Sequence, residues 1–147
     1  MLSVESAPQR ILENIAPLPV EQVPLADALG RVLAEDAVAV RAQPPADNSA
    51  MDGYAVRHAD LAPLIDGGEP VVLPVVMNIP AGGWPERALA LGEAARIFTG
   101  APVPEGADLV IIQEQTCRLD AGHVRIDDPG RGPGHHVRPA GEEMKPA

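Results

Sequence analysis

Apolar residues fall in short clusters along the chain, and their spacing changes early from helical to strand-like. Near the amino terminus Ile11, Leu12 and Ile15 share one face of an expected helix. Ser6 reads as its cap, Pro8 is tolerated in the first turn, Gln9 stands three residues on as in a capping box, and Pro17 and Pro19 stop it. A start at Ser3 would lengthen the helix without changing the stripe. So short a helix is marginal alone in water, and its apolar face needs a surface to pack on. Residues 25–29, closed by Gly30, predict a helix of one or two turns. From there short apolar runs alternate with turn-forming residues, and strands are expected at 37–40, 54–56, 71–76, 89–91, 96–98, 109–112, 116–119 and 124–126. Pro74 removes a donor and marks 71–76 as an edge strand. Asp120, Ala121 and Gly122 supply the reversal between the last two strands. The pattern indicates a mainly β domain with a short N-terminal helix, not alternating βα units.

Composition changes this picture in one respect. Seventeen prolines, fourteen glycines and only Tyr54, Trp84 and Phe98 as aromatics leave a core of Val, Leu, Ile and Ala, with modest stability per residue. Eleven basic against twenty-one acidic residues give a formal charge of −10, which argues against nucleic acid and anionic membrane surfaces as partners. Residues 131–145 are a local exception, where Arg131, Arg138, Lys145, His135 and His136 gather around Glu142 and Glu143 and could hold a small anion. Cys117 is the only cysteine, so no intramolecular disulfide can form. No cationic and apolar leader is read at the amino terminus, and no apolar run approaches the roughly 20 residues that span a bilayer. A cytoplasmic location without membrane contact is the resulting expectation.

Candidate chemistry concentrates in residues 44–57. Pro44 and Pro45 cannot continue a helix, Asp47, Asn48 and Ser49 can bond their own backbone, and Gly53 is expected to allow a sharp reversal into a strand. Asp47 and Asp52 would then stand on a stiff loop beside a sheet edge, as hard oxygen ligands suited to a divalent cation or a phosphorylated substrate. Loop composition alone favours an Asx turn with solvated aspartates. Thr99 and Gly100 stand at a strand end before Pro102 and Pro104, where a hydroxyl and backbone N–H groups could receive an anionic oxygen. Taken alone they read as a capping threonine in a Pro-rich turn. Glu114 follows an apolar strand, a position where carboxylates are usually only solvated. His135 and His136 are expected on an extended segment, pointing to opposite sides and unable to share one ion. His58 and His123 read as surface residues, and Cys117 as a small packing residue.

Three blocks shift the balance between these readings. The run Asp47-Asn48-Ser49-Ala50-Met51-Asp52-Gly53-Tyr54-Ala55 closely resembles a signature of the molybdopterin molybdenumtransferases, the family that includes the E domain of gephyrin. The run from Arg96 to Asp108, which contains Phe98-Thr99-Gly100-Ala101, followed by Val110-Ile111-Ile112-Gln113-Glu114, resembles its second hallmark. Arg138-Pro139-Ala140-Gly141-Glu142-Glu143 resembles its Arg-x-x-Gly-Glu-Asp pattern, with Glu143 where the family commonly has Asp. Ala46 is a second departure, since many relatives carry an aromatic there.

The resemblance implies a β-rich module of short coiled or bifurcated sheets at 45–132. It implies an elongated linker subdomain at 23–44 and 133–147, and a first helix within 1–22 that packs on a molybdopterin-binding domain absent from this chain. It implies insertion of molybdenum from molybdate into adenylated molybdopterin, with release of AMP, in a homodimer whose cleft lies between that domain of one subunit and the β module of the other. Asp52 and Thr99 become the candidate catalytic residues, and Asp47, Ser49, Gly100, Glu114, Arg138 and Glu142 the candidate substrate-binding ones. Asp52 and Glu143 are candidate ligands of Mg2+ or another divalent cation. The chain alone is expected to be inactive. Two alternatives remain at this point: a non-catalytic interaction or dimerisation module that keeps the fold, and a small independent metal-dependent hydrolase.

Overall fold

A computed structural model describes residues 3–4, 6–120 and 122–147. The chain divides into two compact units, Met1–Ala37 and Val38–Ala147.

In the first unit α1 spans Ser6–Leu12. Its cap is Ser3, whose Oγ accepts from the Ser6 N–H (3.2 Å) while its carbonyl accepts from the Ala7 N–H (3.2 Å). Ser3 therefore takes the role that sequence spacing gave to Ser6. Turn-like bonds continue to Ile15, whose N–H donates to Leu12 O. A single 3-10 turn, Leu25–Asp27, follows, and Gly30 with φ +81° ends the region. No described residue of this unit is buried, and Ile11, Leu12 and Ile15 are all exposed.

The second unit is mainly β. Its strands are β1 (Asn48–Ser49), β2 (Gly53–Val56), β3 (Val71–Ile79), β4 (Ala94–Ile97), β5 (Leu109–Ile112), β6 (Thr116–Arg118), β7 (His123–Ile126) and β8 (Val137–Arg138). Six form one sheet in the order β5-β2-β4-β3-β7-β6, antiparallel except for β3 with β4, and β1 pairs with β8. β3 is not the edge strand that Pro74 suggested. Residues Val71 to Pro74 pair with β7 and Val75 to Ile79 pair with β4, so the partner changes just after the residue that has no N–H to give. That exchange, with a register shift between Val75 and Met77, curls the sheet.

Alternation along β2, β4 and β5 sends side chains to two apolar clusters. One face gathers Tyr54, Val56, Ala94, Leu109 and Ile111 with Leu73, Val124 and Ile126, and it is covered by Leu61 and Leu64. The other gathers Ala55, Ala95, Ile97 and Val110 with Met77 and Ile79, and it is covered by Leu89 and Ala101. A sheet buried on both faces explains why residues 109–112 read as an unbroken apolar run.

Leu61 and Leu64 come from a 3-10 turn, His58–Leu61, and a short helix α2, Ala62–Gly67, neither expected from the sequence. Pro63 in the first turn and Gly68 at φ 72° were the available signals. Residues 37–40 form no strand, because nothing pairs with them, and Val38 and Val40 are exposed. Residues 89–91 form none either. Leu89 fills the core from an irregular segment held by its N–H bond to Glu105 O (2.7 Å). Cys117 is exposed on β6, not the small packing residue expected. Ala121, at the centre of the reversal expected between β6 and β7, lies outside the described residues.

Candidate active site

The loop before β2 is fixed by bonds from every side. Asp47 O accepts from the Val103 N–H (2.8 Å), and Asp47 Oδ1 accepts from the Ala140 N–H (2.7 Å). Ser49 N–H donates to Ala101 O (2.9 Å), Ser49 O accepts from the Gly100 N–H (2.8 Å), and Ala50 N–H donates to His136 O (2.8 Å). Pairing of β1 with β8 sets Asn48 opposite Arg138 and Ser49 opposite Val137. Further out, Gln43 N–H donates to Met144 O (2.8 Å) and Pro44 O accepts from the Gly141 N–H (2.9 Å). The three sequence blocks thus form one continuous backbone network around residues 47–52.

Within it the two candidate catalytic residues touch. Asp52 Oδ1 accepts from both the Thr99 N–H (2.8 Å) and the Thr99 hydroxyl (2.7 Å). The backbone N–H bond first, then the hydroxyl bond, hold the Asp52 carboxyl below the ordinary aspartate range, and the charge of Arg96 adds to the effect. Asp52 is therefore an anion at neutral pH. No donor among the described residues reaches its second oxygen, Oδ2. Behind it Asp52 O accepts from the Gln113 N–H (3.0 Å), which ties the carboxylate to the end of β5.

Gly53 serves a different purpose from the one its place in the loop suggested. It lies inside β2, and a Cβ there would stand 1.9 Å from the carbonyl oxygen of Ile111. Glycine is required for close approach of two strands, not for a reversal.

The remaining candidates divide into groups. Ser49 is buried, and its hydroxyl donates to Met51 O (2.6 Å) within the loop. Thr99 and Gly100 have their N–H groups engaged by Asp52 and Ser49, so those donors do not form the free oxyanion cradle expected there. Glu114 is exposed on the 3-10 turn Gln113–Gln115. Arg138 pairs with Glu142 (2.9 Å) and with Glu143, so its charge is balanced within the block and is not free for a small anion. Among the described residues no bond or ion pair joins Glu143 to Asp52, and no three His, Cys, Asp or Glu side chains gather closely enough to hold a metal.

His135 and His136 also differ from expectation. His136 adopts φ 58°, which folds the segment and brings the two rings to 3.8 Å between centroids. Burial first, then the neighbouring charges of His135 and Arg131, hold the His136 pKa below the usual histidine value.

Arg96 went unremarked as a site residue in the sequence, although it opens the second block. Its Nη1 donates to Gly53 O (3.2 Å) and its Nη2 to the Gln113 side chain (2.8 Å), and it stacks on Tyr54 and Phe98. Its place at the head of the second block, beside an expected strand, was the one clue available.

A family model described as the MoeA N-terminal region (domain I and II) matches residues 2–147. The chain belongs to the MoeA family. It is 44% identical over 133 residues to a molybdopterin molybdenumtransferase of Nostoc sp., covering 86% of this chain and 30% of that protein. A molybdopterin molybdenumtransferase of Haemophilus influenzae is 36% identical over 151 residues, covering 99% of this chain and 34% of that protein. The crystal structure of the molybdopterin biosynthesis MoeA protein from Pyrococcus horikoshii OT3 superposes with a TM-score of 0.82 at 34% identity, over 97% of this chain and 37% of that one. The chain spans about a third of the length of these relatives. Among its described residues no helix is long and apolar enough to cross a membrane.

Proposed function

We propose that this chain supplies one wall of the active site of an enzyme that inserts molybdenum from molybdate into adenylated molybdopterin, releasing AMP. The observation that carries the reading is the half-buried Asp52 carboxylate, clamped by Thr99 on one oxygen and open on the other, at the end of the loop that the second and third blocks hold. One carboxylate with a free oxygen suits Mg2+, which is commonly held by one or two carboxylates together with phosphate oxygens and waters. It does not suit an ion that requires a complete protein cage. Asp52 Oδ2 would hold such an ion, which would serve there to neutralise the pyrophosphate of the substrate. Thr99 fixes the carboxylate in its ionised form and in one rotamer. Asp47 and Ser49 keep the loop rigid, and Arg138 with Glu142 and Glu143 braces it from outside.

The opposite wall belongs, in this reading, to a molybdopterin-binding domain of the partner in a homodimer, so the chain alone turns over nothing. Supplying that domain separately, with adenylated molybdopterin, molybdate and Mg2+, should restore AMP release. Asp52→Asn should lower that release by about 100-fold or more while the fold persists. Molybdenum insertion by the 147-residue chain alone, or full activity of Asp52→Asn, would overturn the proposal. A second reading, a non-catalytic dimerisation module, is favoured by the ion pairs that occupy Glu142 and Glu143. Under it, Asp52→Asn would change nothing but acid stability.

A further inference from the structure

Ser49 ties the two loops of the site together on one side, through its backbone bonds with Gly100 and Ala101. Asp52 lies three residues further along one loop, and Thr99 one residue back along the other, where β2 begins and β4 has ended. Among the described residues the bonds that join the loops there are the two that Thr99 donates to Asp52. Thr99 is exposed, and a hydrogen bond open to water contributes little net free energy. Such bonds fix a carboxylate only if the backbone on both sides of them is already held.

Arg96 holds the second side. Alternation along β4 sends Ala95 and Ile97 into one apolar cluster and puts Arg96 on the opposite face with Phe98, and the register of β2 with β4 sets it directly across from Tyr54. Its guanidinium lies over both rings, 5.0 Å from the centroid of Tyr54 and 4.7 Å from that of Phe98. With its faces so occupied, its edge reaches two oxygens: Nη1 donates to Gly53 O (3.2 Å) and Nη2 to Gln113 Oε1 (2.8 Å). Three of these four partners adjoin the Asp52–Thr99 pair. Gly53 follows Asp52, Phe98 precedes Thr99, and the Gln113 N–H donates to Asp52 O (3.0 Å). Charge acts in the same direction, because after the two Thr99 bonds the guanidinium of Arg96 adds to the preference of Asp52 for its ionised form.

We propose that Arg96, braced against Gln113, is a positioning residue that sets the spacing of Asp52 and Thr99 and acts on the chemistry through that carboxylate. Arginine alone combines a flat face for two rings with an edge that donates in two directions, whereas lysine keeps the charge and loses the edge. A residue that merely packed would support the sheet as a whole and not this pair in particular. The catalytic consequence rests on the reading of Asp52 given above; the brace itself does not.

Hydrogen exchange in the whole 147-residue chain, followed by NMR without ligand, separates the two roles. In Arg96→Lys the Thr99 amide should exchange about tenfold faster, while the amide of Ile111, buried in β5, stays within about twofold of the parent. Gln113→Ala, at an exposed position, removes one arm of the brace and should quicken Thr99 exchange by a smaller factor. Arg118→Gln, which alters the other arginine on the concavity that Arg96 lines, should leave Thr99 exchange unchanged. With the missing domain supplied, Arg96→Lys should lower kcat for AMP release about tenfold and keep KM for adenylated molybdopterin within about twofold. Thr99 exchange unchanged in both Arg96→Lys and Gln113→Ala, or equal acceleration at Thr99 and Ile111, would overturn the brace. A rise in KM as large as the fall in kcat would show that Arg96 meets the substrate directly and would overturn the positioning role. Faster Thr99 exchange in Arg96→Lys, together with full activity of Asp52→Asn, would support the brace and sink the reading of Asp52 instead.

Discussion

Ile111 and Ile11 are the same side chain in two units of one polypeptide, with opposite fates. Ile111 in β5 is 0% exposed, whereas Ile11 in α1 is 63% exposed. Each follows a clear local pattern, strand-like in one case and helical in the other. What differs is the second layer. The sheet of residues 38–147 folds its own loops and short helix over both faces, whereas no described residue of Met1–Ala37 covers the stripe of α1. An amphipathic pattern therefore states that a face requires cover, not that the chain carries the cover itself.

The contrast is broken most directly in the core. Ile111→Ala should destabilise the β unit by about 2–5 kcal/mol, read from urea unfolding, because the cavity it leaves is walled by two packed strands. Gly53→Ala should cost about 3 kcal/mol, since its methyl group meets the Ile111 carbonyl and β2 must move from β5.

A subtler break uses pH. The folded-state pKa of Asp52 lies below its ordinary value of 3.8, so its contribution to stability is present well above pH 3.8 and is lost as pH falls through the lower folded value. Asp52→Asn should flatten this part of the acid-side loss, leaving an offset from the parent chain that is constant at higher pH. Thr99→Val removes the hydroxyl and keeps the N–H. The Asp52 carboxyl, followed by carbon NMR, should then titrate higher than in the parent but still below the ordinary value. An unchanged titration would show that the hydroxyl contributes nothing. The smallest effect is expected from Ile11→Ala, within about 0.5 kcal/mol on the unfolding of the β unit. A loss there as large as that at Ile111 would erase the distinction between the two units.

Legibility followed the same line. Strands β2, β4, β5, β6 and β7 were readable to within a residue or two, because each is a short apolar run bounded by turn residues. Residues 37–40 and 89–91 carry the same local signal and are not strands, since pairing is decided by distant residues. Leu89 kept its burial without the strand. Within the site, the motifs identified Asp52 and Thr99 but not the bonds between them, and they overlooked Arg96. Its importance lies in the contacts it makes with Gly53, Gln113, Tyr54 and Phe98, which only the tertiary structure reveals.

Sequence by itself determined the β character of residues 45–132, the membership of the three blocks in one family, and the absence of an intramolecular disulfide. It also placed turn-forming residues where the loop before β2 had to be rigid. Tertiary structure alone decided that the blocks meet, that among the described residues Asp52 keeps one oxygen without a donor, and that Gly53 is needed for space. The physical reason is range. Turn chemistry and alternation act over a few residues, whereas the Asp52–Thr99 contact joins positions 47 residues apart and the Asp47–Ala140 contact positions 93 apart, which only the packed sheet brings together.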